Sequence, residues 1–276
     1  MKSKISRRSL LQAAGFGSVA TGLAKLPTSA GATLAASDDS QIAKPHQGLG
    51  TVGQVSSPAF GPGDFLRTWN FSNLPPTERS RFYRETALDD GSLLREYEIH
   101  AVDREIEIAP GIFFPAWTYN GQVPGPTLRA TAGDTVRIHF VNQGVHPHTL
   151  HFHGWHPPEM DGSLPQHQVA AGDEFTYEFK AEPFGLHLYH CHSLPLKRHI
   201  HKGLYGAFLV DPPGGRTPAD ELIMIMNGFD TNFDGENEIY AVNSVAFFYM
   251  ENRIRVRVGE PVRIYLVNLT EFDPIN

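Results

Sequence analysis

Two short runs, "HPHTLHFHGWH" from His146 to His156 and "HLYHCHSLPLKRHIH" from His187 to His201, hold ten of the chain's 14 histidines and its single cysteine, Cys191. Imidazole and thiolate together are ligands for borderline and soft metals. Strand geometry gives their spacing a meaning, because side chains at i and i+2 share a face while i+1 points the other way. His151 and His153 should project together, as should His190 and His192, with Cys191 turned toward the domain interior. Two such strands side by side would present four imidazoles on one surface and a thiol just behind them. His148, before the HFH pair, and His199, across a loop from Cys191, are the candidate partners of the thiol. A His₂Cys set suits copper in an electron-transfer site whose axial ligand is weak or missing. Zinc more often takes several thiolates or a compact His/Asp set, and only one thiol is present. An inert buried cysteine among solvated histidines would leave both HxH pairs without a role.

The elements that must position these residues are short strands. "LREYEIHAV", "REIEIAPGIFFPAWTYN", "DTVRIHFVN", "EFTYEFKA", "LHLYHCH" and "YGAFLVDPP" are rich in Val, Ile, Tyr, Phe and Thr, often alternate, and lie between turn signals. They predict an all-β chain built as an antiparallel sandwich. An internal repeat organises it: Tyr119-Asn120-Gly121 leads to "LRATAGDTVRIHFVNQ", and Val242-Asn243-Ser244 leads to "IRVRVGEPVRIYLVNLT". Gly133 matches Gly259, Val136-Arg137-Ile138 matches Val262-Arg263-Ile264, and Asn142 matches Asn268. The expected layout is a complete β domain at residues 92–213 and the start of a second at 214–276, truncated before a second ligand cluster.

Upstream, residues 1–36 combine Arg7-Arg8, a glycine-diluted apolar run and small residues, the features of a cleaved signal of the twin-arginine type. That predicts a periplasmic or secreted protein with no membrane attachment after cleavage. Residues 37–91 are polar and broken by Gly and Pro, an extended arm with at most one helical turn near Pro76–Arg84. A net charge of −7 argues against nucleic-acid and anionic-membrane partners, and one cysteine excludes an internal disulfide framework.

His148-x-x-His151-x-His153-Gly154, His190-Cys191-His192 and "HIHKGLYG" resemble the signature of the multicopper oxidases, the laccase and ferroxidase family. The resemblance implies a cupredoxin-like Greek-key β-sandwich. It implies type 1 copper at His148, Cys191 and His199, type 2 copper at His151, and a type 3 pair at His153, His190 and His192. Type 2 and type 3 sites would be completed by residues beyond this chain, in two-domain relatives from a neighbouring subunit of a homotrimer. The implied reaction takes single electrons from a small reductant, a phenol or a metal ion, and passes them by way of Cys191 to a cluster that reduces O₂ to water.

Two departures stand out. The family's second type 1 histidine usually falls five residues after the cysteine, where this chain has Leu196; His199 comes three later, giving a longer loop like that of copper nitrite reductases, with His201 as its competitor. The usual axial methionine position holds Leu204, which cannot coordinate. Copper nitrite reductases are the alternative reading, but they carry aspartate where His151 stands and no histidine where His192 stands. A blue-copper electron carrier is a second alternative; it needs only His148, Cys191 and His199. Among weaker signals, Glu159 and Asp161 are possible proton relays, and "DTNFDGENE" matches the start of a calcium loop but reads as an acidic surface turn, since Ala241 occupies the position that needs glutamate. His146, His156, His167 and His187 match no family ligand position.

Overall fold

The computed structural model describes residues 83–270. The signal-like segment and most of the arm lie outside the described residues. The strands are β1 (Arg84–Ala87), β2 (Leu93–Ala109), β3 (Ile112–Tyr119), β4 (Leu128–Thr131), β5 (Thr135–Asn142), β6 (His151–Phe152), β7 (Glu174–Lys180), β8 (Gly185–His190), β9 (Tyr205–Asp211), β10 (Asp220–Phe229), β11 (Ile239–Val242) and β12 (Val262–Leu269). Two short helices, α1 (Leu196–His201) and α2 (Phe248–Glu251), interrupt them.

One sheet runs β1-β2-β5-β7 with β3 also paired to β2, a second runs β4-β9-β8-β6, and a third runs β11-β10-β12. Alternation on β5 shows why the first two close on each other. Val136, Ile138 and Phe140 are fully buried while Arg137, His139 and Val141 between them are part-exposed. The buried row joins Leu128, Phe152, Tyr189, Cys191, Phe208 and Val210 of the facing sheet in one core. Each such Ile or Phe contributes roughly 1.5–3 kcal/mol by leaving water. β9 is buried on both faces: Phe208 and Val210 enter that core, whereas Tyr205, Ala207 and Leu209 pack with Ile223, Ile225 and Phe229 of the third sheet. The unbroken apolar run "YGAFLV" reflects this two-sided burial.

The sandwich is mixed, not antiparallel as expected. β2–β5, β4–β9 and β10–β12 are parallel pairs. Alternation reports which face of a strand is buried and carries no information about the direction of its neighbour. The sheet also begins earlier than expected, because Arg84–Ala87, placed in the arm by sequence, pairs with Leu93–Glu96.

The repeat is physical. Asn120 and Asn243 both adopt φ of 54°, and each bonds the first strand of its own copy's parallel pair, β2 or β10. Asn120 Oδ1 accepts from the His100 amide (2.6 Å) and its Nδ2 donates to the Glu98 carbonyl (3.2 Å). Asn243 does the same with Ile225 (2.9 Å) and Ile223 (3.0 Å). The copies diverge at "IRVRV": its counterpart β4 pairs with β9, but residues 254–258 form no strand. Val262, Ile264 and Leu266, matching the buried row of β5, are 37, 55 and 58% exposed.

Candidate metal centre

The thiol-centred group assembles as the sequence arithmetic requires. β6 and β8 pair so that His151 faces His190 and Phe152 faces Tyr189. Phe152 and Tyr189 fill the core, and the chain continues past β8 to Cys191, which is fully buried. His148 enters from the loop before β6, and α1 brings in His199. Both are buried. Cys191 Sγ lies 3.2 Å from His199 Nδ1 and 3.8 Å from His148 Nδ1, and the two Nδ1 atoms are 3.2 Å apart. The Thr149 amide donates to Sγ at 3.4 Å. Leu204, also fully buried, shares the core with Cys191 and ties the loop together: its carbonyl accepts from the Cys191 amide (3.0 Å), and its amide donates to the His199 carbonyl (3.2 Å).

His201 is turned elsewhere. Its Nε2 accepts from the Asp230 amide (2.7 Å) and its ring packs edge-on against Phe114. The structure thus brings His199, and not His201, to the cysteine.

Burial governs the charge states. It pushes His148 down to about 3 and His199 and His190 to about 4, reinforced by neighbouring cationic or imidazole groups. His151 and His153 are lowered for the same reason. Burial raises the Cys191 thiol, against hydrogen bonds from Ser193 and Thr149 that favour the thiolate. The site therefore presents neutral imidazoles with free lone pairs and a thiol that a cation must deprotonate. Three buried N/N/S donors with an aliphatic residue at the expected axial position fit a blue-copper centre, and they lack the fourth ligand of structural zinc.

On the other side of Cys191 the remaining imidazoles gather. Ring centroids lie 5.1 Å apart for His151 and His190, 5.0 Å for His151 and His192, 5.5 Å for His151 and His153, and 5.7 Å for His190 and His192. His153 Nε2 and His190 Nε2 are 3.1 Å apart. His151, His153 and His190 offer ring nitrogens within 4.8 Å of one another, and His192 adjoins this set. His151 Nδ1 donates to the Asp161 carbonyl (2.7 Å) and His190 Nδ1 to the Cys191 carbonyl (3.0 Å), so each ring carries its lone pair on Nε2. His192 Nδ1 is buried without a hydrogen-bond partner.

The loop after β6 supports this second set. The Asp161 carboxylate lies 3.4 Å from His151 and 3.6 Å from His156, which were respectively a predicted ligand and an unassigned histidine. Gly162 makes the approach possible: its φ is +71°, and a Cβ there would overlap the Leu150 carbonyl. Glu159 is exposed on the same loop. The acidic segment Asp230–Glu238 turns its carboxylates onto its own amides, Asp230 accepting from Asp234 and Gly235, and Glu238 from Thr231.

Trp117 was not visible from sequence. This β3 residue packs on His199 (4.8 Å), His146 (4.7 Å) and His148 (5.4 Å). Inside "FFPAWTYN" it reads only as a strand residue, and no spacing rule links it to histidines far along the chain.

A buried His/Cys centre on a cupredoxin-like sandwich, backed by a cluster of imidazoles, defines a copper redox protein. A profile described as Multicopper oxidase matches residues 104–215. A solved structure, "Crystal structure of multicopper oxidase", is 54% identical, covers 69% of this chain and 68% of its own, and superposes with a TM-score of 0.68. The copper-containing nitrite reductase of Neisseria meningitidis (serogroup A / serotype 4A) is 31% identical over 191 residues, 62% of this chain and 49% of that protein. The L-ascorbate oxidase of Cucurbita maxima is 39% identical over 129 residues, 44% of this chain and 20% of that one. The chain belongs to the multicopper oxidase family. It spans about half the length of the nitrite reductases it matches.

Proposed function

We propose that the chain carries the type 1 copper site and part of the trinuclear site of a laccase-like oxidase that couples one-electron oxidation of a small reductant to reduction of O₂. The observation that carries this reading is the presence of imidazole at both His151 and His192, 5.0 Å apart and beside His153 and His190. A site built for a single catalytic copper has no use for so many. With a phenol the balance is four phenols and one O₂ giving four phenoxyl radicals and two waters.

Copper held by these residues would accept electrons singly and deliver them to dioxygen. The protein contributes the frame. Cys191 joins the two donor sets covalently, its thiol on the core side and the adjacent His190 and His192 on the other. Thr149 N–H supports the developing thiolate with a hydrogen bond to charge. The Asp161 carbonyl fixes the His151 tautomer. The Asp161 carboxylate, beside His151 and His156, is placed to hold a proton where oxygen is reduced. Complementary ligands are assigned to a second domain of a neighbouring subunit in a homotrimer, because His151, His153, His190 and His192 fill only this domain's share. Export by the twin-arginine route to the periplasm or outside the cell belongs to the same proposal and is supported by Arg7-Arg8 and the apolar run after them.

Nitrite reduction is the competing reaction, favoured by the similarity to nitrite reductases and by the long loop that carries His199. Oxygen uptake with a phenol, set against nitrite consumption with a reduced dye, separates the two in the copper-loaded assembly. Oxygen uptake without nitrite turnover is expected; nitrite turnover without oxygen uptake would reverse the assignment.

A further inference from the structure

We propose that Arg198 is the recognition residue for the reductant, and that the site selects reductants bearing a carboxylate. This deepens the reading above by naming a substrate class for the same electron-entry face. Arg198 precedes His199 on α1, is exposed, and lays its guanidinium over the Trp117 ring at 5.3 Å. Trp117 in turn packs on both His148 and His199. A group held by Arg198 is therefore separated from both imidazoles by a single indole.

The charge balance here runs against that of the whole chain, which carries −7. A second cation, Lys202, is buried with its ammonium 5.7 Å from the Trp117 ring, 4.9 Å from Phe114 and 5.0 Å from Phe233. Among the described residues neither Arg198 nor Lys202 has a carboxylate within ion-pair distance. The Asp103 carboxylate accepts from the Val145 amide (3.1 Å) and offsets Lys202 only in part. Lys202 is buried against three aromatic rings, whereas Arg198 is exposed over Trp117 alone, where its N–H groups can meet a ligand. A planar guanidinium fork matches a carboxylate in bidentate fashion, a geometry that a hydrated lysine does not supply. The ligand loops also place exposed aliphatic side chains three residues from ligands, Val145 before His148 and Leu194 after Cys191, suited to the apolar body of an aromatic acid.

The redox step would be a one-electron transfer: the phenol would lose an electron, its hydroxyl proton passing to water, and a cupric ion held by His148, Cys191 and His199 would take that electron and become cuprous. The test follows anaerobic bleaching of the blue band in the copper-loaded protein, which reads this step without oxygen turnover. 4-Hydroxy-3-methoxycinnamic acid is compared with its methyl ester, in the wild type and in Arg198→Gln. The acid should reduce the centre faster than the ester, and the acid-to-ester ratio should fall about fivefold in the variant, equivalent to about 1 kcal/mol for a partly solvated ion pair. Added salt should erode the acid's advantage and spare the ester. Equal rates for acid and ester in the wild type, or an acid-to-ester ratio unmoved by Arg198→Gln, would overturn the proposal. Should neither phenol bleach the band, the phenol-oxidising reading fails on its own. Ferrocyanide and hexaammineruthenium(II) then replace the phenols, and a ferrocyanide preference lost in Arg198→Gln sustains the anion site, while no such loss removes it.

Discussion

Replacing Glu221 by alanine removes the centre of a buried charge cluster that ties the third sheet to β4. Glu221 accepts from Arg129 Nη1 (2.9 Å), Arg263 Nη1 (2.6 Å) and the Tyr265 hydroxyl (2.9 Å), and is itself buried. Breaking a buried ion pair by deleting one partner costs about 3–5 kcal/mol, because the other charge is stranded. Two features place this case at the lower end. Arg129 keeps Asp211 through two contacts at 2.6 and 3.1 Å, and the Arg263 side chain, 27% exposed, can regain water. The expected loss is therefore about 3 kcal/mol, a fall in Tm of about 6–12 °C for a folded unit of this size. Thermal and urea unfolding of Glu221→Ala against wild type measure it, with a double-mutant cycle through Arg129→Met to isolate the pair. A loss below about 1 kcal/mol would put the cluster in the class of exposed salt bridges and refute its role as the tie between the third sheet and β4.

Three further outcomes follow from the site. Leu204→Met offers a thioether where none exists; it should lower the reduction potential of the blue centre in a redox titration, at a stability cost under about 1.5 kcal/mol, and an unchanged potential would mean Leu204 is not axial. Gly162→Ala should cost more than about 1 kcal/mol and reduce copper bound at the His151 set, read by Tm and metal stoichiometry, because the new Cβ drives Asp161 away from His151. In the metal-free protein, burial holds His148 near 3 and His199 and His190 near 4, while an unfolded chain binds those protons at about 6.5. The unfolded state thus takes up more protons as pH falls below about 6.5, so the urea midpoint should decline from there toward pH 4; a flat midpoint over that interval contradicts the buried neutral state.

The grouping of the candidate ligands was legible because two signals coincide in them: the alternation of a strand and the concentration of imidazole around one thiol. His151-x-His153 and His190-Cys191-His192 state their own geometry, with the odd residue out pointing to the core. The choice between His199 and His201 was not legible to the same degree, since α1 turns the chain by a helical period that short sequence cannot announce. Strand partners were hidden too: Val136, Ile138 and Phe140 reveal a buried face but not that β5 runs parallel to β2. Residues 254–258 repeat the pattern of β4 and still form no strand, because a strand needs a neighbour to bond with, and β4 has β9. Trp117, Arg198 and Lys202 meet only through the fold, so their grouping beside His148, Cys191 and His199 left no trace in spacing.

The most direct test of the account is the absorption spectrum of the copper-loaded protein, taken with Cys191→Ser in parallel. An intense blue thiolate-to-copper band is expected in the wild type and its complete loss in the variant, with any copper at the His151 set remaining nearly colourless. A colourless copper-saturated wild type, or a blue band that survives Cys191→Ser, would contradict it.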